Sequence, residues 1–165
     1  MSITLEPFDT TEKNFATVAE WLNDPEVVQY SEHRHLTHSS ITQINYHREM
    51  IANGSAYFAI CDPDMIGTIS ARMDQPNKVA QVGILIGDKT KWGKDYGFQA
   101  WKAMGDWLFE GGIRKIEAGC MATNYGMISV FLKYGMLFEA YIPGHFLVGE
   151  EEVAEVRYGK FNEAI

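Results

Sequence analysis

The sequence predicts an α/β fold, and three observations carry that prediction. Between positions 56 and 86, three apolar runs are separated by short turn-forming clusters, the pattern of antiparallel strands. Elsewhere apolar residues recur every three or four positions, the period of helices with one buried face. A strand-like run over 79–86 then passes through a glycine-bearing turn straight into a helical run, making a strand–turn–helix unit.

The elements follow in order. Residues 3–8 alternate apolar Ile3 and Leu5 with Thr4 and Glu6, giving a first strand. Asp9, Thr10 and Thr11 supply N-caps for a helix through Leu22, with Phe15, Val18, Ala19 and Leu22 on one face. Asn23-Asp24-Pro25 stops it, and a short helix through Tyr30 is expected next. A second helix runs from about Ser39 to Ala52 and ends at Asn53-Gly54.

Strands over 56–61 and 65–73 flank Asp62-Pro63-Asp64, and Gln75-Pro76-Asn77 turns the chain into the strand over 79–86. The helix over 97–109 places Phe98, Trp101, Met104, Gly105 and Leu108 on one face and stops at Gly111-Gly112. A strand over 115–121 precedes a helix capped by Thr123 or Asn124, which should bury Met127, Ile128, Phe131 and Leu132. Two strands, over 137–148 and 153–161, complete the chain.

Composition bounds the function. The 165 residues suit one domain, 1–165, with a substantial core, and 46% hydrophobic against 22% charged residues is ordinary for a globular protein. A formal net charge of −8 argues against the basic footprint that nucleic-acid binding needs. Cys61 and Cys120 lie in apolar runs and read as buried, reduced thiols. Residues 1–9 lack the regions of a signal peptide, and no apolar run nears the ~20 residues that span a bilayer. The expectation is a cytoplasmic protein with no membrane or nucleic-acid partner.

The turn over 89–97 (Lys89-Thr90-Lys91-Trp92-Gly93-Lys94-Asp95-Tyr96-Gly97) carries the functional signal. Backbone N–H groups at the start of the following helix lack intrahelical partners and suit a phosphate, and three lysines add positive charge. A plain strand-to-helix connection without a ligand fits the same residues.

The element order, with Trp92-Gly93-Lys94-Asp95-Tyr96-Gly97, Lys115-Ile116-Glu117-Ala118 and the run from Asn124 through Gly135 and Met136, resembles the GCN5-related N-acetyltransferases (GNAT) over nearly the whole chain. The resemblance runs to the branch of ribosomal-protein alanine and amino-sugar N-acetyltransferases. It implies an α/β (α+β) fold with a mixed, mostly antiparallel central sheet of about seven strands, helices on both faces, and a splay between the fourth and fifth strands. It also implies acetyl-CoA (coenzyme A) as co-substrate, no metal, and transfer of an acetyl group to a primary amine by direct attack.

Residue by residue, the resemblance gives the cofactor Leu85, Ile86, Trp92, Gly93, Lys94, Asp95, Tyr96, Gly97, Phe98, Asn124, Met127, Phe131 and Lys133. The family turn reads Q/R-x-x-G-x-G/A, and Asp95 stands where its middle glycine is expected; Lys91 and Lys94 would offset that carboxylate. Phe131 replaces a tyrosine that protonates the leaving thiolate in relatives, and Gln81 replaces a glutamate base. His33, His35 and His38, in the loop that covers the acceptor site in this family, and His145 are the candidates for a substitute base. Tyr125 and Tyr134 are candidate proton donors. His35, His145 and Tyr134 are the catalytic expectations; His33, Arg34 and Gln81 are the substrate-binding ones, Arg34 for an acceptor carboxylate or phosphate.

The expected acceptor is a small molecule, an amino-sugar nucleotide or other small amine, with a protein N-terminus as alternative. A homodimer is compatible with all of this. A catalytically silent coenzyme A-binding or interaction module is the reading from another class, favoured by Asp95, Phe131 and Gln81.

Overall fold

Seven strands form one sheet in the order β1-β2-β3-β4-β5-β7-β6, and every pairing is antiparallel except β4 with β5. The structure is a computed structural model and describes residues 2–164. The strands are β1 Thr4–Pro7, β2 Ala56–Cys61, β3 Met65–Asp74, β4 Val79–Ile86, β5 Lys115–Met121, β6 Leu137–Val148 and β7 Glu151–Phe161. The helices are α1 Glu12–Leu22, α2 Ser40–Ala52, α3 Tyr96–Glu110 and α4 Tyr125–Lys133. This is the GNAT-type mixed sheet expected from the sequence, with helices on both faces.

Local chemistry sets the helix starts. The Thr11 side chain accepts from Asn14 N at α1, and Ser39 and Thr42 form a reciprocal capping box at α2. Asn124 caps α4 by accepting from Met127 N at 3.1 Å. Helix α3 differs, because its N-cap residue Asp95 makes no side-chain capping bond.

The pleat of the sheet divides the core in two. On one face Ile60, Ile69, Val82 and Ile116 pack against Trp101, Met104 and Leu108 of α3 and Phe131 of α4. On the other, Phe15, Val18 and Leu22 of α1 cover Ala59 and Cys61. Each such fully buried side chain contributes about 1.5–3 kcal/mol relative to exposure.

Parallel pairing of β4 with β5 covers only Val79↔Lys115, Ala80↔Ile116 and Gln81↔Glu117. Beyond Gln81, β4 stays with β3 to Ile86, while β5 stays with β7 to Met121. The two strands therefore part, and among the described residues the β4 edge facing β5 has no strand partner from Val82 onward.

Three sequence expectations need correction. Residues 25–30 form turns and no helix, because the Asn23-Asp24-Pro25 break is followed by single turn bonds such as Val28 N to Asp24 O and not by a continuous ladder. The following segment, read from the sequence as a loop, includes a short 3₁₀ helix over Glu32–His35. Leu132 is 58% exposed, since α4 is short and turns only its Phe131 side fully into the core.

Candidate active site

Where β4 and β5 part, a cavity of about 180 Å³ opens between Val82 and Ile84 on one wall and Gly119 and Cys120 on the other. Met127 and Phe131 of α4 close its end. Phe131 is buried between Trp101 and Tyr158, with ring centroids 5.2 and 5.3 Å away. It shapes the cavity and offers no proton. The Cys120 thiol is pushed up to about 12 by burial, then by the nearby Glu155 carboxylate, so it is inert.

A second cavity of about 320 Å³ lies on the α1–α2 side of the sheet. Val18 and Leu22 of α1 and Ile84 and Leu85 of β4 give it an apolar wall, and Tyr57, Thr68 and Ser70 supply hydroxyls. Tyr30, Ser31, Gly83, Ile84 and Asn124 line both cavities. The two spaces thus meet at the exposed edge of β4.

At the outer end of the splay sits the turn into α3. Gly93, at φ +70°, and Gly97 both have open space where a Cβ would stand. The amides of Gly97 and Phe98 precede the first intrahelical bond, which Gln99 N donates to Asp95 O. Asp95 itself sits at φ +68°, the left-handed conformation natural to glycine. Its carboxylate does not face the open side of the turn. It takes the Lys133 ammonium at 2.6 Å, and that ammonium also lies 4.1 Å from the centre of the Phe98 ring.

The lysines behave differently from expectation. Lys89 is held by Asp24 at 2.7 Å and Glu26 at 2.9 Å, and Lys91 by Asp62 at 2.8 Å. Lys91 and Lys94 therefore do not offset Asp95; Lys133 does, from a different helix. Lys94 is exposed, and no carboxylate among the described residues pairs with it. Trp92 and Tyr96 serve the turn's own architecture. The Trp92 indole donates to Ile86 O at 2.9 Å, occupying that carbonyl. The Tyr96 side chain is buried and hydrogen-bonded to Asp62, away from the open face.

Of the expected catalytic residues, none lines either cavity. His35 is half-exposed and pairs with Glu32. Tyr134 is buried between α3 and α4, where its hydroxyl donates to Asp106 at 3.2 Å. His145 sits on a bulge of β6, 3.3 Å from Glu155, which also holds Arg157 at 3.1 Å. Gln81 lines neither of these cavities; it stands beside Glu117 in separate pockets, where β4 and β5 are still paired. Arg34 lines neither cavity, and its guanidinium donates to Glu32, to Ser31 O and to Leu147 O, each at 2.8 Å. That last bond ties the α1–α2 loop to β6 across the face of the sheet.

His33 is the histidine in the larger cavity. Burial, and then the neighbouring His38, hold its imidazole below the usual 6.5, so it is neutral at pH 7. His38 supports it. Gln43 donates to His38 Nδ1 at 3.2 Å, which leaves the proton on Nε2 to donate to His33 O, also at 3.2 Å. Asn23 clamps the His38 backbone with two bonds of 2.8 Å. Tyr30, Ser31, Gln43 and Tyr57 carried no motif in the sequence; only their meeting in space marks them.

A model of the acetyltransferase (GNAT) domain family matches residues 2–137, and the chain belongs to that family, whose members are acetyl-CoA-dependent N-acetyltransferases. No curated protein matches the sequence. Among solved structures, the chain is similar to RimL, a ribosomal L7/L12 alpha-N-protein acetyltransferase in complex with coenzyme A. That match has a TM-score of 0.86 at 17% identity, over 100% of this chain and 97% of that one. It is similar also to a spermidine N-acetyltransferase from Vibrio cholerae in complex with coenzyme A and spermine, with TM-score 0.85 at 15% identity over 98% and 96%. The ribosomal-protein-S5-alanine acetyltransferase from Vibrio fischeri gives TM-score 0.81 at 17% identity over 99% and 94%. At these identities the likeness is one of fold. Among the described residues no helix is long and apolar enough to cross a membrane.

Proposed function

We propose that this chain, acting as one domain in the cytoplasm, transfers the acetyl group of acetyl-coenzyme A to a primary amine by direct attack within a ternary complex. The observation that carries the reading is the junction of the two cavities at Tyr30, Ser31, Gly83, Ile84 and Asn124. One cavity lies along the unpaired edge of β4 against α4, and the other opens beneath the α1–α2 loop.

The residues present fit the cofactor. Gly93 and Gly97 leave room for close approach of a pyrophosphate to backbone amides, and Lys94 adds a positive charge. The β4 edge past Gln81 offers backbone groups to an extended pantetheine arm. Asn124 spends its Oδ1 on the cap of α4, so its Nδ2 is the atom available to the ligand. When bound, the cofactor supplies an acetyl thioester. Backbone amides on that edge are the donors for its carbonyl oxygen, fixed before reaction and partly screened from water.

His33 takes the proton from the attacking amine. It is neutral and lines the acceptor cavity, and its backbone carbonyl is held by His38, features that suit a general base contributing about 10²–10⁴-fold. Phe131 has no proton to give a leaving thiolate; the hydroxyls of Tyr30 and Ser31, which line the same cavity, or solvent would supply it. Positioning two reactants on one edge supplies much of the rest.

The test is thermal denaturation with and without 1 mM acetyl-coenzyme A. A ligand present at about 100 times its Kd stabilises by about 2.7 kcal/mol, a shift of several degrees. Absence of any shift overturns the reading. A shift without amine-dependent thiol release identifies a silent cofactor-binding module.

A further inference from the structure

Resting on that functional reading, we infer that the acceptor is an amine whose remaining body carries no charge. Among the described residues, no Asp, Glu, Lys or Arg lines the 320 Å³ acceptor cavity. Its polar side chains are neutral: hydroxyls, among them those of Tyr46, Tyr57, Thr68 and Ser70, the Gln43 and Asn124 amides and the uncharged His33 ring. The Tyr57 hydroxyl is pushed up to about 12, chiefly by burial, and so stays protonated.

Electrostatics then selects the substrate. A second ammonium group, as in a polyamine, would enter this space without a carboxylate to meet it, and a buried unpaired charge is strongly disfavoured. A phosphate or carboxylate would lack a cation. The one arginine of the loop, Arg34, does not line the cavity, and three of its five N–H groups are taken by Glu32, Ser31 O and Leu147 O. The amino-sugar nucleotide expected from the sequence therefore loses its basis, although the neutral sugar alone does not.

The same wall acts on the reacting amine. An uncharged, half-apolar cavity disfavours the ammonium form and so promotes loss of its proton. This help suffices most readily for amines that start near neutrality, such as an α-amino group at about 7.7–8.0, rather than an ε-amino group near 10.4. The volume equals roughly ten water volumes of about 30 Å³ each, enough for a sugar ring or a short neutral peptide end. Apolar Val18, Leu22 and Leu85 face one side of the occupant and the hydroxyls the other.

The experiment compares kcat/KM of the full chain, saturated with acetyl-coenzyme A, on glucosamine, alanyl-alanine amide, spermidine and a UDP-linked amino sugar. The uncharged-body amines should exceed both charged acceptors by at least tenfold. Ser70→Asp, which puts a carboxylate opposite Gly83, should raise the spermidine-to-glucosamine ratio tenfold or more while leaving the acetyl-coenzyme A thermal shift intact. Tyr46→Glu serves the same purpose if that variant does not fold. Cofactor binding combined with a preference for spermidine or the nucleotide, or with no turnover of either uncharged-body amine, overturns this inference. A wild-type chain that fails to bind acetyl-coenzyme A overturns the functional reading instead.

Discussion

The carboxylate of Asp95 and the ammonium of Lys133 lie 2.6 Å apart, joining the first residue before α3 to the last residue of α4. The pair explains how an acidic residue is tolerated in a turn built for an anion. Asp95 supplies the left-handed φ of +68° that a glycine would supply at no cost, and its charge is drawn sideways onto the neighbouring helix. Both side chains are half-exposed, so solvent screens the pair and its contribution is small, about 0–1 kcal/mol.

Replacing Asp95 by Gly should therefore leave stability within about 1 kcal/mol of wild type, since relief of the strained φ offsets the lost pair. Coenzyme A affinity should stay equal or tighten, because a negative charge leaves the turn and Lys133 is released. Asp95→Asn keeps the backbone preference and removes only the charge, so it should tighten binding alike. Calorimetric titration at two salt concentrations checks this: a released Lys133 makes binding more salt-sensitive. Markedly weaker binding in both variants would give the carboxylate a role toward the ligand.

His33 leads to a prediction in pH. With its imidazole held below 6.5, wild-type kcat/KM should lose activity on the acid side only below that value, as the ring becomes protonated. His33→Ala should lower the rate about 10²-fold or more and move the acid limb upward, toward the pKa of the amine itself. Gln43→Leu, which removes the donor to His38 Nδ1, should have a smaller effect of the same kind. An unchanged pH–rate profile in His33→Ala removes the histidine from the reaction.

Much of this fold was legible because its signals are local. Asp62-Pro63-Asp64 separates β2 from β3, and the strands over 56–61, 79–86 and 115–121 fall where the apolar runs placed them. The second helix begins where it was expected, just after Ser39, and Asn124, one of the two expected candidates, caps α4. The site was less legible, since its decisive contacts join distant positions. Asp95 meets Lys133 from 38 residues away, and Arg34 reaches Leu147 O across 113. No pattern of spacing tells which of four histidines faces the cavity. His33 and His35 are two residues apart on one 3₁₀ turn, yet His33 lines the cavity while His35 pairs with Glu32 in solvent.

Tyr134 should prove structural. Its ring fills the space above Gly105, where an added methyl would overlap the phenol, and its hydroxyl donates to Asp106 at 3.2 Å. Tyr134→Phe should cost about 1 kcal/mol, or a few degrees in Tm, and leave kcat within about twofold. Gly105→Ala should cost more, about 1–3 kcal/mol, because the α3–α4 contact must open to admit the methyl. A large loss of kcat in Tyr134→Phe with the Tm preserved would reverse this assignment.

The last prediction concerns stability at mild acid. The His47 ring stacks among Phe8, Phe15 and Tyr57, at centroid distances of 5.4–5.8 Å, and burial holds its pKa below 6.5. A histidine with a depressed native pKa binds fewer protons folded than unfolded, so stability falls as pH drops through the unfolded value near 6.5. The loss continues until the native pKa is passed. His33 acts in the same direction. His47→Phe keeps an aromatic ring against the same three neighbours and removes one titrating group. Its Tm should match or exceed wild type at pH 7.5 and should fall less between pH 7 and 5. Denaturant midpoints measured across that range decide the matter: parallel curves for wild type and variant would mean that His47 takes up its proton without penalty, and that the ring is more open to water than its packing indicates.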